Sequence, residues 1–481
     1  MQKKFISNLV WMVFFNLLIK PYAIFGIDAE VQNRVGSEEY GLYFTLLNFS
    51  YLFNIFLDLG ITNYNIKYVA QNPTLVKRYI GNIISLRLVL FVVYVCMSLA
   101  LALLLGYNSK QFWFIYVLIF NQFLISILLF FRSYFAGLLL FKWDILLSIL
   151  DRILLIGIVS FLLYHPFFKN QFDIKWFVLA QTVSFFVSVL VAIVLVFKRI
   201  GFPRIHWAKA FNFVILKKSF PYALLILLMM LYTRVDAMMI ERLHIHGNIQ
   251  VGIYAQAFRM LEASLMFIML FTGLLFPLFS RILKEKTSVV PLLDTSSKLV
   301  VAFTTLMSFT CCLFAYFILD TIYLHDIKFV VPTFRLLMLS LIPTAFIFVY
   351  GTLMTANGDL KRLNVLSFIG LVLNIILNFI FIPKHGAFGA AVATFSTQLL
   401  IALFYFASVW KQFLLNFKGK ELARYLTYGL WCIGSAFISL NILGKLNQLS
   451  AFIGLLILGM IFLGLVPIRF IIATLKTKEI V

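Results

Sequence analysis

Seven basic residues, Lys20, Arg87, Arg132, Arg152, Arg234, Arg259 and Arg335, each fall inside a long apolar run of the sequence. A cation at the centre of a bilayer costs roughly 2.5 to 3.5 kcal/mol on insertion scales, so such residues face a wet cavity, a partner charge or an anionic ligand. The acids within the same runs are Asp58, Asp151, Asp236 and Glu262. Because the cations outnumber them, internal ion pairs leave positive charge over. The chemistry this predicts is anion binding through charge-assisted hydrogen bonds, which are shorter and stronger than neutral ones.

The elements that must hold these side chains are membrane helices. The chain has 481 residues, 63% hydrophobic and 12% charged, with a mean hydropathy of +1.01, far above soluble domains. Apolar segments long enough to span a bilayer follow one another almost without pause. The expected architecture is an all-α integral membrane protein with about fourteen spans. They cover residues 6–27, 40–62, 79–105, 111–136, 145–164, 174–197, 218–241, 252–280, 299–319, 329–356, 363–382, 386–409, 425–443 and 450–468. No loop is long enough for a soluble domain.

Net charge is +22, and its placement sets the topology. With the N-terminus inside, inner loops hold about 25 Lys and Arg and outer loops about 8, which predicts both termini on the cytoplasmic side. Lys198, Arg199, Arg204, Lys209, Lys217 and Lys218 form the largest inner cluster, a topology signal that also suits anionic headgroups. Lys3 and Lys4 ahead of an apolar run resemble a signal peptide. The run continues past Lys20 and Pro21 without a small-residue cleavage site, so the segment is expected to remain as the first span. Cys96, Cys311, Cys312 and Cys432 lie in apolar spans without metal or redox spacing and read as core residues. No metal or other cofactor is expected.

A weak internal repeat organises the spans. Gly41 and Tyr43 match Gly252 and Tyr254 at an offset of 211, which aligns Thr45 with Gln256, Asn48 with Arg259, Tyr51 with Glu262 and Ile55 with Met266. These positions advance by three or four and share one helical face. An even number of spans per copy makes the copies parallel repeats. The expected domains are therefore a first lobe, 1–197, a basic amphipathic linker, 198–217, a second lobe, 218–410, and two added spans within 411–481. The two six-helix lobes are expected around a central cavity, related by a pseudo-two-fold axis.

Further polar residues fit such a cavity. Asn364, Ser367, Asn374 and Asn378 form a stripe suited either to sugar hydroxyls or to hydrogen bonds between helices. Gly386, Gly389, Ala390, Ala391 and Ala393 permit close helix contact. Arg259 and Glu262 are spaced to pair, whereas Arg234 and Asp236 point to different faces. Asp58 is expected to pair with Arg87 or Arg132. By depth, Arg87, Arg132 and Arg152 lie toward the inner half of the first lobe, Arg234, Arg259 and Arg335 toward the outer half of the second, and Lys20 between. Each either lines the cavity or snorkels to headgroups. Pro21, Pro277 and Pro343 interrupt spans and supply bends, and Lys20 beside Pro21 marks a broken helix next to a charge.

Enzyme signatures are weak. Asp28 and Glu30 are the acids available to a membrane glycosyltransferase or polymerase, in an outer loop of about a dozen residues. No Walker-type loop supports an ATPase.

The chain resembles the polysaccharide transporter family, the O-antigen and capsule flippases of the multidrug/oligosaccharidyl-lipid/polysaccharide exporter superfamily. The resemblance rests on Arg34 to Gly41 (RVGSEEYG), Asp58 to Ile61 (DLGI), Arg234 to Asp236, Gly252 to Arg259, and Asn357-Gly358 through Asn374, Asn378 and Pro383 to Gly386–Thr394 (GAFGAAVAT). It implies a non-enzymatic flippase of a bacterial inner membrane. Such a protein moves undecaprenyl-diphosphate-linked oligosaccharide repeat units outward by alternating access. Possible pathway partners are the polymerase and chain-length proteins; no nucleic acid is involved.

On this reading Lys20, Arg87, Arg132, Arg234 and Arg259 bind diphosphate. Asn48, Tyr51, Gln256, Asn374 and Asn378 contact sugar. Asp236 or Glu262 is the position for proton or sodium coupling. Alternatives in the same superfamily are a cation-coupled multidrug exporter, for which an acidic cavity is expected, and a flippase for lipid-linked peptidoglycan precursor.

Overall fold

The computed structural model describes residues 18–464, apart from 63–64, 67–68, 70–75, 139, 170, 203–206, 414–418 and 441–443. Both expected cytoplasmic termini, the start of the first span, and Arg204 of the linker lie outside the described residues. The protein is all-helical, with no strand among the described residues. Eight of these helices are long and apolar enough to cross a membrane. Exposed apolar side chains such as Val92, Leu129 and Phe379 stud their outer faces. Acyl chains, unlike water, accept such a surface without cost.

Two hairpins lack the loops expected of them. The first helix does not end at residue 27: a π-helical turn, Ala23–Asp28, follows Pro21 and leads into Ala29–Leu52. Proline removes a backbone donor, and the wider winding accommodates that loss. The chain reverses at Gly36, where φ is 82° and ψ 168°. Tyr40 Oη donates to Asp28 Oδ2 at 2.8 Å, although twelve residues of straight helix would separate them by about 18 Å. Asp28 is thus a buried helical residue and not part of an outer loop.

The 54-residue helix Leu360–Phe413 is likewise two spans broken at Gly386, with φ 52° and ψ −126°. A Cβ on Gly389 would lie 2.4 Å from the Phe381 carbonyl oxygen, which a straight helix would place about 12 Å away. The ninth span also differs from expectation. It runs as Val290–Leu313, breaks at Phe314, and continues as a short helix, Ala315–Ile322. By contrast, Ile327–Ala356 is one helix with Pro332 and Pro343 inside it.

The chain divides into two compact units, Met1–Gly252 and Ile253–Val481. In the first, Ser109–Gly137 and Phe141–Tyr164 pack on Ile174–Ile200, and Lys209–Leu243 packs on Ala29–Leu52. The helix expected to open the second lobe is thus part of the first compact unit. Its apolar core includes Ile80, Ile83, Phe130, Phe131 and Leu147. In the second unit, Ile327–Ala356 packs on Leu360–Phe413 and Val290–Leu313. Phe452, Leu456, Tyr428 and Cys432 of the last two helices form a core with Ala302 and Phe314.

The glycines of the repeat meet. A Cβ on Gly41 would lie 1.9 Å from the Asn248 carbonyl oxygen, and one on Gly252 would lie 2.0 Å from that of Ser37. Gln32 Nε2 donates to the Gly252 carbonyl at 3.0 Å beside this crossing. Glycine at both matched positions therefore has a direct physical cause, the approach of two backbones.

Candidate functional site

Most of the seven embedded cations are engaged, in different ways. Arg87, on the Val76–Leu104 helix, is 1% exposed. One guanidinium nitrogen pairs with Asp58 and donates to Thr62 Oγ1 at 2.8 Å. The other donates to Ser126 Oγ at 2.8 Å and to the Ser126 carbonyl at 3.1 Å. Its face lies 4.6 Å from the Phe130 ring centroid. Asp58 in turn accepts from the Thr62 hydroxyl and backbone N–H. Arg87 therefore holds the core of the first unit together through both terminal nitrogens, and of its guanidinium only the buried Nε is without a hydrogen-bond partner among the described residues.

Arg335 has a second structural use. Its Nε donates to the Cys312 carbonyl at 3.0 Å, one residue from the end of the Val290–Leu313 helix, where carbonyls lack intrahelical partners. In the second unit Arg259 pairs with Glu262 at 3.0 Å, as their spacing predicts.

Lys20, Arg132 and Arg152 form a cluster with two carboxylates. Arg132 Nε pairs with Asp144 at 2.8 Å, and Arg152 Nε with Asp151 at 3.3 Å. Lys20, half-buried just ahead of the π-helical turn, lies within electrostatic reach of all four. Three cations face two carboxylates, so the group keeps one positive charge over. Sequence reasoning missed Asp144, which fell in a loop before the fifth span; the helix starts earlier, at Phe141. Its spacing of seven from Asp151 puts both acids on one helical face and was the signal available.

Arg234 meets the polar stripe of the first unit. From the Lys209–Leu243 helix its Nη1 donates to Asn48 Oδ1 at 3.2 Å, and its guanidinium lies 4.7 Å from the Tyr51 ring centroid. Asn48 Nδ2 donates back to the Phe44 carbonyl at 2.7 Å, which fixes the amide orientation. A cation, an amide and an aromatic face are thus brought together from positions 186 residues apart. Around Ser50, the neighbour of Tyr51, are hydrogen bonds that sequence reasoning did not find. Asn54 donates to Gln122, Gln122 to Ser50 Oγ, and Tyr94 Oη to the Ser50 carbonyl. Asp236, two residues from Arg234, is 2% exposed.

The remaining expected residues belong to the second unit. Asn378 Nδ2 donates to Asn374 Oδ1 at 3.0 Å, and both are fully buried. Gln256 is 1% exposed, and its Oε1 has no hydrogen-bond partner among the described residues; Asn374 Nδ2 is in the same position. Such buried groups cost about 1 to 3 kcal/mol when left unsatisfied.

Comparison with known proteins gives the fold a context. A family model described as "Polysaccharide biosynthesis protein" matches residues 8–283. No curated protein sequence matches the chain. Among solved structures, lipid II flippase MurJ in an inward closed conformation aligns with a TM-score of 0.69 at 16% identity, covering 97% of this chain and 100% of that one. An inward-facing multidrug resistance MATE family transporter of the MOP superfamily aligns at 0.65 and 15% identity, over 85% and 98% of the two chains. A MOP superfamily transporter from Pyrococcus furiosus, titled for the reverse polarity of its binding pocket, aligns at 0.59 and 14% identity, over 85% and 96%. At these identities the likeness establishes a shared fold, that of multi-pass membrane transporters.

Proposed function

The chain belongs to the polysaccharide biosynthesis protein family, and from that premise we propose that it is a flippase for polyprenyl-diphosphate-linked oligosaccharide. It would carry this lipid from the inner to the outer leaflet of a bacterial cytoplasmic membrane by alternating access, without covalent chemistry. The observation that carries the reading is the Arg234–Asn48–Tyr51 arrangement. A guanidinium binds diphosphate oxygens and an aromatic face covers the apolar side of a sugar ring, while buried Asn48 orients the guanidinium and would meet a sugar hydroxyl only on exchanging that bond. The surplus charge at Lys20, Arg132 and Arg152 supplies a second anion-binding position on the same unit. Arg259, Gln256, Asn374 and Asn378 are the positions proposed to meet substrate from the second unit.

Asp236 and Glu262 remain the candidates for proton or sodium coupling, and the polymerase and chain-length proteins the candidates for partners. Lipid II is named for one structural relative and presents the same diphosphate, so vesicles loaded with each defined lipid separate the two substrates. A cationic arrangement suits an exporter of cationic drugs poorly.

The test is outward movement of a fluorescent lipid-linked oligosaccharide in reconstituted vesicles. Arg234→Gln is expected to slow it about 10- to 100-fold, the equivalent of one charge-assisted hydrogen bond, with Lys20→Gln smaller and additive. A double variant that folds and still moves the lipid at the wild-type rate would sink the proposal.

A further inference from the structure

We infer that the segment between the sixth and seventh spans is a binding surface for anionic phospholipid of the inner leaflet. Residues 198–218 contain six Lys and Arg and no acid. Four of these, Lys198, Arg199, Lys209 and Lys217, are described and exposed. Placed among them are apolar side chains that water would not favour: Phe202 is 84% exposed, Phe213 67% and Trp207 51%. On the Lys209–Leu243 helix, Lys209, Phe213 and Lys217 follow at intervals of four and form one exposed stripe of cation, ring and cation. A topology signal needs charge alone. It gives no reason for exposed rings between the charges, whereas a lipid surface takes up both, the headgroups meeting the ammonium groups and the acyl boundary meeting the rings.

The segment is also held in place. Asn82, 1% exposed, accepts from the Ala208 backbone N–H at 2.6 Å and donates to Asn212 Oδ1 at 2.6 Å. One buried amide from the Val76–Leu104 helix thus caps the start of the Lys209–Leu243 helix and fixes its rotation. Arg199 lies 6.0 Å from the Trp143 ring centroid. A surface oriented in this way presents its cations and rings together. A soluble polyanion could use the charges, but it would leave the rings in water, so the occupant that fits both is an anionic lipid such as phosphatidylglycerol.

The experiment uses the full chain in nanodiscs, with tryptophan emission quenched by brominated phosphatidylglycerol or, at equal mole fraction, brominated phosphatidylcholine. Subtracting the signal of Trp207→Phe isolates Trp207. Its emission is expected to be quenched more strongly by the glycerol lipid, with the excess shrinking at high salt. Lys209→Gln and Lys217→Gln should each reduce the preference about two- to fivefold. Equal quenching by the two lipids would leave only a topology signal and overturn the inference. So would displacement of the glycerol lipid from Trp207 by soluble polyphosphate. The wild-type comparison decides the matter even where a charge variant fails to insert.

Discussion

Asp58→Ala is expected to destabilise the protein by about 3 to 5 kcal/mol, the cost of leaving a buried charge without its partner. Arg87 is enclosed at 1% exposure, so it cannot turn to water when the carboxylate is gone. Folded domains are stable by only about 5 to 15 kcal/mol, and a loss of this size should appear as a large drop in melting temperature in detergent and in the amount of folded protein recovered. The double variant Asp58→Leu/Arg87→Met, which removes both charges, should recover much of the loss, because an apolar pair of similar volume is often neutral or better. If Asp58→Ala melts like the wild type, Arg87 is not held as described and returns to the set of anion-binding cations.

Gly41→Val and Gly252→Val should each prevent normal packing of the first unit. The added carbon would fall about 2 Å from a backbone carbonyl oxygen in either case, and backbone cannot rotate aside as a side chain does. Overpacking typically costs about 1 to 3 kcal/mol, and a clash between two main chains belongs at or above the upper end. Because the two glycines occupy one crossing, their effects should be less than additive. Melting temperatures of the two single variants and the double variant measure this directly. A Gly41→Val protein that melts within a degree or so of the wild type would mean that the helices separate there at little cost.

The helices were legible because a bilayer demands about twenty apolar residues per crossing, a pattern that survives without any alignment. The Arg259–Glu262 pair was legible for a similar local reason, since three residues along a helix settle the contact. Of what long-range packing decides, the pairing of Asp58 with Arg87 or Arg132 was expected and the first of these is found, but most of the rest could not be read. Arg87 and Arg234 look alike in sequence, each an arginine in an apolar run. One is bound through both terminal nitrogens by Asp58, Thr62 and Ser126, and the other reaches Asn48 and Tyr51. The same limit concealed Asp144, whose helix begins before the apolar run does. The reversals at Gly36 and Gly386 fall where the spans were expected to part, after residues 27 and 382; what the pattern did not show is that one positive-φ glycine makes each turn within otherwise helical backbone.

The reversal at Gly36 bears on how the protein is made. The turn is made at one residue, Gly36, set among Glu30, Gln32, Asn33, Arg34, Ser37, Glu38 and Glu39, and Tyr40 is bonded back to Asp28, so the two arms are tied directly to each other beneath a polar tip. They would enter the bilayer as a single hairpin, and the earliest step of assembly would be committed only once the ribosome had released both arms.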